Sequence, residues 1–319
     1  MDTNDKFRVR FLNILYAHAL WDALGAPYEF ANKTHPKPFS GNVDVPLKLV
    51  DRAGIRNGCI GMVTDDTEMS VALLTVLSQN NWIYDRKSVI IEYLNWVNGY
   101  LPDNKKGKSV PYLGKNIRSL FYGIKTYEGY IKRSSKIFEN GENLQSNECL
   151  MRCLPLLVSV IESRSWNCVE EDVYLTNPNK TCSECVKLYL FAVLNLLQNS
   201  NTKDVYSIII SIMSPSLKKK FDSFSEEKVA KADRWVVCAF WIALESLRRN
   251  YDLNSAMKWI IEMKGDTDTN GAVCLGLLGA IYKVDDEKIK AILECDSSAT
   301  DIPRPERWHP KQYLQIIQK

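Results

Sequence analysis

Histidine is scarce in this chain: His18, His35 and His309 are the only three among 319 residues, and they lie far apart. Zinc or copper held by imidazoles is therefore not expected, because such sites draw several nitrogen or thiolate ligands together. Cys182 and Cys185 form a lone C-x-x-C with no second pair to complete a tetrahedral site. The nine cysteines, odd in number and scattered, read as reduced packing thiols. No run approaches the roughly 18 apolar residues of a membrane span. Behind the polar start Met1-Asp2-Thr3-Asn4-Asp5 there is no apolar core of a signal peptide. The expected setting is thus intracellular, cytoplasmic or nuclear, and not secreted. Excess charge is small as well, +3 in total, so no specific nucleic-acid binding is expected. Lysine clusters at 105–108 and 218–220 read as solvated loops.

Strand-type alternation is equally rare, whereas apolar residues recur with helical spacing through most of the chain. The expected class is all-α. Residues 7–24 are apolar around most of the circumference, as in a buried central helix, and Gly25 and Pro27 stop it. Helical patterns follow at about 68–78, 86–98, 116–127, 149–163, 182–198, 203–213, 226–249, 254–263 and 271–283. Residues 31–61 are rich in Pro, Gly, Asn and Lys and read as a long loop, of the kind that often covers a site. Residues 99–115 read as a connection and 128–148 as irregular. The proline-rich 301–310 is expected to lie across the surface before a short terminal helix. No composition shift marks a boundary, so a single compact domain, 1–319, is expected.

Two stretches carry chemistry. Lys264-Gly265-Asp266-Thr267-Asp268-Thr269-Asn270-Gly271 places two acids one residue apart with hydroxyls around them, and a helical pattern with small residues at Ala272, Gly276 and Ala280 follows. Far upstream, Thr64-Asp65-Asp66-Thr67 repeats the arrangement before another helix. Either alone is explained as an N-cap, where Asp and Thr are favoured. Two such entrances that met would gather Asp65, Asp66, Asp266 and Asp268 with the hydroxyls of Thr64 and Thr269. Buried acids that close need cations, and an all-oxygen set suits hard ones, Mg2+ or Mn2+. The expected site is dinuclear and sits in a cleft. A phosphoryl-transfer aspartate pair is the rival reading of Asp266 and Asp268; it normally follows a buried strand, and residues 259–264 look like a helix end instead.

With these motifs on the page, the chain resembles the ADP-ribosylglycohydrolase family, which includes hydrolases of ADP-ribosylarginine, ADP-ribosylserine and poly(ADP-ribose) and the dinitrogenase reductase-activating glycohydrolases. The resemblance rests on Asp22-Ala23-Leu24-Gly25-Ala26-Pro27-Tyr28-Glu29, on Thr64-Asp65-Asp66-Thr67-Glu68-Met69, on Ser146-Asn147-Glu148-Cys149-Leu150-Met151-Arg152, and on Gly265-Asp266-Thr267-Asp268-Thr269. It implies an all-helical fold with two Mg2+ or Mn2+ ions held by Thr64, Asp65, Asp66, Asp266, Asp268 and Thr269. It further implies hydrolysis of the ribose C1 bond that joins ADP-ribose to a protein side chain, with an ADP-ribosylated protein or an ADP-ribose-containing small molecule as substrate. Glu29 matches a glutamate that overlies the metals in the serine-directed branch, and Glu29 or Asp66 would handle the proton. Ser146, Asn147, Glu148 and Asn177 fall on the substrate side.

Departures accompany the match. Asn13, Ala17 and Trp21 stand where the family has glycines, Glu148 replaces a glycine beside the expected diphosphate, and Tyr112-Leu113-Gly114 stands where many relatives carry Asp-Ile-Gly. If that aspartate has a catalytic part, this chain lacks it. Trp21, Glu148 and Tyr112 motivate a competing reading, a module that binds metal and a nucleotide-like ligand without cutting; a third, a structural protein that keeps only the fold, sits badly with the retained acids.

Overall fold

Helix punctuation explains the architecture before packing does. Residues 3–30, 59, 61–100, 110, 112–140, 144–198, 201–232, 234–300 and 303–318 are described by the computed structural model. Among them, seventeen α-helices are present: α1 (Thr3–Gly25), α2 (Asp65–Gln79), α3 (Arg86–Asn98), α4 (Lys115–Phe121), α5 (Tyr127–Glu139), α6 (Glu148–Met151), α7 (Leu156–Ser163), α8 (Asn167–Thr176), α9 (Lys180–Leu197), α10 (Thr202–Ile212), α11 (Pro215–Asp222), α12 (Glu226–Val229), α13 (Val236–Arg248), α14 (Leu253–Met263), α15 (Thr267–Leu278), α16 (Asp286–Leu293) and α17 (Gln312–Ile317). Their starts follow the capping rules: side chains of Asp85, Thr126, Asn179, Ser214 and Asp252 accept the first free amides of α3, α5, α9, α11 and α14, and each such cap is worth about 1 kcal/mol.

At the centre α1 lies against α15, and α13 and α14 also pack against α15. Small residues make that approach possible. A side-chain carbon on Gly279 would come within 2.7 Å of Ala17 and 3.1 Å of the Ile14 backbone, and one on Gly271 would touch the carbonyl of Trp21 at 3.5 Å. The substituted positions of α1 fit this interface. Asn13 donates to the carbonyls of Gly279 (2.7 Å) and Tyr282 (2.9 Å) and accepts from the Val284 amide (3.0 Å), closing the C-terminus of α15. Trp21 is buried in the continuous core.

Several boundaries differ from the sequence pattern. Residues 128–148, read as irregular, contain most of α5, whose Tyr130 and Ser134 are buried and whose Tyr127, Ile131, Ile137 and Phe138 pack half-buried against the core. Lysine, arginine, serine and glycine between these residues thin the apolar pattern along the sequence. The pattern at 149–163 is cut between α6 and α7, where Pro155 removes a donor. The span 226–249 divides into α12 and α13, and α15 begins at Thr267 rather than Gly271, which carries Asp268 into its first turn. The loop reading of 31–61 lies almost wholly outside the described residues.

The proline-rich tail is docked on α2 and α3 before the short terminal helix α17. Arg304 makes two hydrogen bonds of 2.8 Å to Glu68, Arg307 grips Glu92 at 2.8 and 2.7 Å, and the indoles of Trp96 and Trp308 donate to the same two carboxylates. Bidentate pairing of this kind orients as well as attracts. It fastens the tail to α2 and α3 on the side of α2 that carries Glu68.

Candidate functional site

The last turns of α1 bring Asp22 to the point where the first acidic stretch begins. Its buried carboxylate accepts from the Thr64 hydroxyl (2.6 Å), the Thr64 amide (2.9 Å) and the Thr67 amide (3.1 Å). Two free donors at the start of α2 are thereby used, which is the service an N-cap performs. Burial nevertheless pushes the Asp22 carboxyl up to about 6, against the lowering effect of these donors.

Thr64 and Thr269 join the two acidic stretches. The Thr64 hydroxyl reaches Asp66 Oδ2 at 3.2 Å, and the Thr269 hydroxyl, from the first turns of α15, reaches the same oxygen at 3.4 Å. The entrance of α15 is seated by Gly25. Thr267 donates to the Gly25 carbonyl at 2.8 Å, and the backbones approach so closely that a side-chain carbon on Gly25 would lie 2.5 Å from Asp268 Cα. Gly265, at φ +85°, makes the turn into this entrance, with Lys264 at φ 62° before it.

Around this junction lie more carboxylates than the local donors satisfy. Asp66 and Asp266 are 1% and 4% exposed, and one oxygen of each, Asp66 Oδ1 and Asp266 Oδ1, has no hydrogen-bond partner. Oxygens of Glu29, Asp266 and Asp268 all fall within 4.8 Å of one another. Burial first, and then the mutual repulsion of these groups, holds Asp65, Asp66 and Asp268 well above the usual carboxylate range. Burial and Glu29 raise Asp266 to about 6, with Arg234 and Asn147 acting the other way. Orphaned, mutually repelling carboxylate oxygens supplemented by two hydroxyls fit a hard divalent cation; Thr64, Asp65, Asp66, Asp266, Asp268 and Thr269 are the residues that could contribute to holding one.

A second wall is formed by residues 145–147, which pair with 234–236 through Asn147 N to Arg234 O (2.7 Å) and Val236 N to Gln145 O (2.9 Å). This seats the Asn147 amide to donate to Asp266 Oδ2 at 2.7 Å. Arg234 donates to Glu29 Oε1 at 2.7 Å, stands 3.7 Å from Asp266 Oδ1, and lies 4.8 Å over the Phe30 ring. Phe30 in turn donates its amide to the Gly265 carbonyl at 2.7 Å. Glu29 is thus tied above the acids by a cation that no motif announces: a lone arginine in Ala232-Asp233-Arg234-Trp235 has no spacing that singles it out. Asp22 lay within a motif, yet its work on the α2 amides emerges only from the packing.

The other expected residues occupy distinct places. Ser146 accepts from Asn116 and Asn177, each at 3.0 Å. Asn177 is fully buried beneath it, donating also to the carbonyls of Leu144 and Ser146, both at 3.2 Å, and accepting from Thr176 at 2.6 Å. Its amide is therefore spent on the backbone at 144 and 146 and on the Ser146 hydroxyl. Glu148 turns inward. It is 3% exposed, accepts from the Asn116 amide at 3.1 Å and leaves Oε2 unpartnered. Burial raises it to about 7, and its charge in turn raises Asp65. Gly114 makes room for it, since any side chain there would collide with its carboxylate. Tyr112 offers no acid; its hydroxyl donates to Glu68 at 3.3 Å.

Comparison with known proteins gives concordant matches. The ADP-ribosylglycohydrolase family description matches residues 3–293. A protein of Acanthamoeba polyphaga mimivirus, provisionally named an ADP-ribosyl glycohydrolase, is 24% identical over 92% of this chain and 94% of its own length. A solved structure described as an ADP-ribosylglycohydrolase-related protein complex is similar in fold at a TM-score of 0.65, with 20% identity, covering 98% of this chain and 97% of that one.

Proposed function

This chain belongs to the ADP-ribosylglycohydrolase family, and on that premise we propose that it hydrolyses the ribose C1 bond joining ADP-ribose to a protein side chain, dependent on Mg2+, with Mn2+ able to substitute. The observation that carries the reading is the meeting of two acidic helix entrances at Asp66 and Thr269, with Asp66 Oδ1 and Asp266 Oδ1 accepting no hydrogen bond and Arg234 standing 3.7 Å from the latter.

In this reading Thr64, Asp65, Asp66, Asp266, Asp268 and Thr269 hold two divalent cations. Those ions would balance the buried negative charge and fix the ribose hydroxyls. The chain's own residues supply the rest. Cleavage at a glycosidic carbon needs a group that moves a proton between water and the departing side chain. Glu29 is assigned that task, held by Arg234 at 2.7 Å beside Asp266 and Asp268, with Asp66 as the alternative. Asn147 orients Asp266 through its 2.7 Å bond. Ser146, Asn147 and Glu148 are assigned to the substrate side, with Asn177 supporting Ser146.

A second reading, a module that binds ADP-ribose without cutting it, is favoured by one observation: Glu148 points inward and adds negative charge beside Asp65. Incubation with ADP-ribosylated protein and Mg2+ distinguishes the two. Release of ADP-ribose that stops on chelation supports hydrolysis, whereas measurable ADP-ribose binding without release selects the second reading.

A further inference from the structure

Cys59 and Cys295 meet beside the chain that leads into α2, although 236 positions separate them, and their Sγ atoms are 2.8 Å apart. Both are free and partly exposed, whereas the other seven cysteines are buried. Cys149 and Cys182 also interact, but both are sealed in the core. A dissolved oxidant therefore has access to the Cys59 and Cys295 pair and not to that one. The backbone around the pair is seated on both sides. Gly61, at φ +78°, turns the chain so closely over Ala291 and Ile292 that a side-chain carbon would collide with them, and His309 Nε2 lies 3.2 Å from the Cys295 carbonyl.

We propose that Cys59 and Cys295 are a redox-active pair that a low-molecular-weight disulfide, such as oxidised glutathione, converts into an intramolecular disulfide. Either sulfur can donate across the 2.8 Å contact, and we assign the proton to Cys295. That bond lowers the Cys59 thiol below its ordinary value and, together with burial, raises Cys295, while Asp296 opposes the lowering of Cys59. Cys59 is accordingly the attacking thiolate. Its sulfur bonds to one sulfur of the small disulfide, and the other sulfur departs as a thiolate that takes up the proton Cys59 released. Cys295 then loses its proton and attacks the Cys59 sulfur. The second small thiolate leaves and accepts that proton. The two protein thiols are oxidised by two electrons and the small disulfide is reduced to two thiols. The bond formed would fasten the chain just ahead of Thr64 to the end of α16.

The test uses the full chain under native conditions, treated with oxidised glutathione, quenched with acid, alkylated, digested and mapped by mass spectrometry. A peptide joining Cys59 to Cys295, lost on reduction, is expected, with the seven buried thiols left to be alkylated after denaturation. Cys295→Ser should trap glutathione on Cys59, and Cys59→Ser should leave Cys295 unmodified over the same time. Both residues remaining open to alkylation, or a mixed disulfide persisting on Cys59 in the unsubstituted chain, would overturn the proposal. The readout requires no catalytic activity, so it stands apart from the proposed function.

Discussion

The hydroxyl of Thr269 lies 3.4 Å from Asp66 Oδ2, across 203 positions of sequence. Through this contact two helix starts that could each have been self-contained caps become one acidic cradle. The excess of carboxylates over donors there is what an isolated cap never needs, and it leads directly to a first expectation.

Asp266→Asn keeps an oxygen to accept from Asn147 but removes the charge. ADP-ribose release in Mg2+ should fall by more than about a hundredfold, because losing even a residue that only supports a metal ligand costs about 10- to 100-fold. Steady-state assays with Mg2+ titration, alongside circular dichroism to confirm folding, provide the check. Full activity in this variant would refute the cation assignment.

Glu148 makes stability depend on pH. Its carboxyl has an unfolded value of 4.5 and is raised to about 7 by burial, so the folded chain holds a proton that the unfolded chain has released. The stabilisation this gives is complete below pH 4.5 and lost as pH rises through about 7. Glu148→Gln cannot titrate and should exceed the parent in stability at about pH 8, by on the order of 3 kcal/mol, with the advantage gone near pH 4. Urea unfolding at the two pH values measures it; an advantage confined to acid would contradict the inward burial of this side chain.

Arg304→Met should strand the Glu68 carboxylate, which is 2% exposed, with only indole and phenol donors. Breaking one side of a buried pair costs about 3–5 kcal/mol. Adding Glu68→Gln should recover part of that loss, and a double-mutant cycle by denaturant unfolding gives the coupling.

Gly25→Ala would set a methyl group 2.5 Å from Asp268 Cα and Thr267 O. Neither backbone can yield cheaply, so stability should drop by about 1–3 kcal/mol. Displacement of Asp268 should also weaken Mg2+ binding, measurable by calorimetry. Unaltered metal affinity would mean that this approach does not position the acid.

How far the site could be read in advance depends on the range of each signal. Asp65, Asp66, Asp266 and Asp268 stand out because acid and threonine cluster within a few residues, just before helical periodicity. Arg234 carries no such pattern, and its placement over Glu29 depends on the pairing of 145–147 with 234–236. Asn177 is assigned to the substrate side by resemblance, yet packing places it under Ser146, with its amide consumed by Leu144 and Ser146. Helix α5 is hard to see in the sequence because its packed face, Tyr127, Tyr130, Ile131, Ser134, Ile137 and Phe138, is interrupted by lysine, arginine and glycine.

By itself the sequence determined the helical class, the central buried α1, the stripe of small residues on α15 and the acids at two helix starts, since spacing along one chain segment decides each of these. Only the tertiary structure decided that Asp22 would serve the amides of α2, that Glu148 would turn inward, and that Cys59 would lie against Cys295. Those outcomes depend on which distant surfaces bury one another, and burial is settled by the packing of the whole core, a property no local stretch of sequence contains.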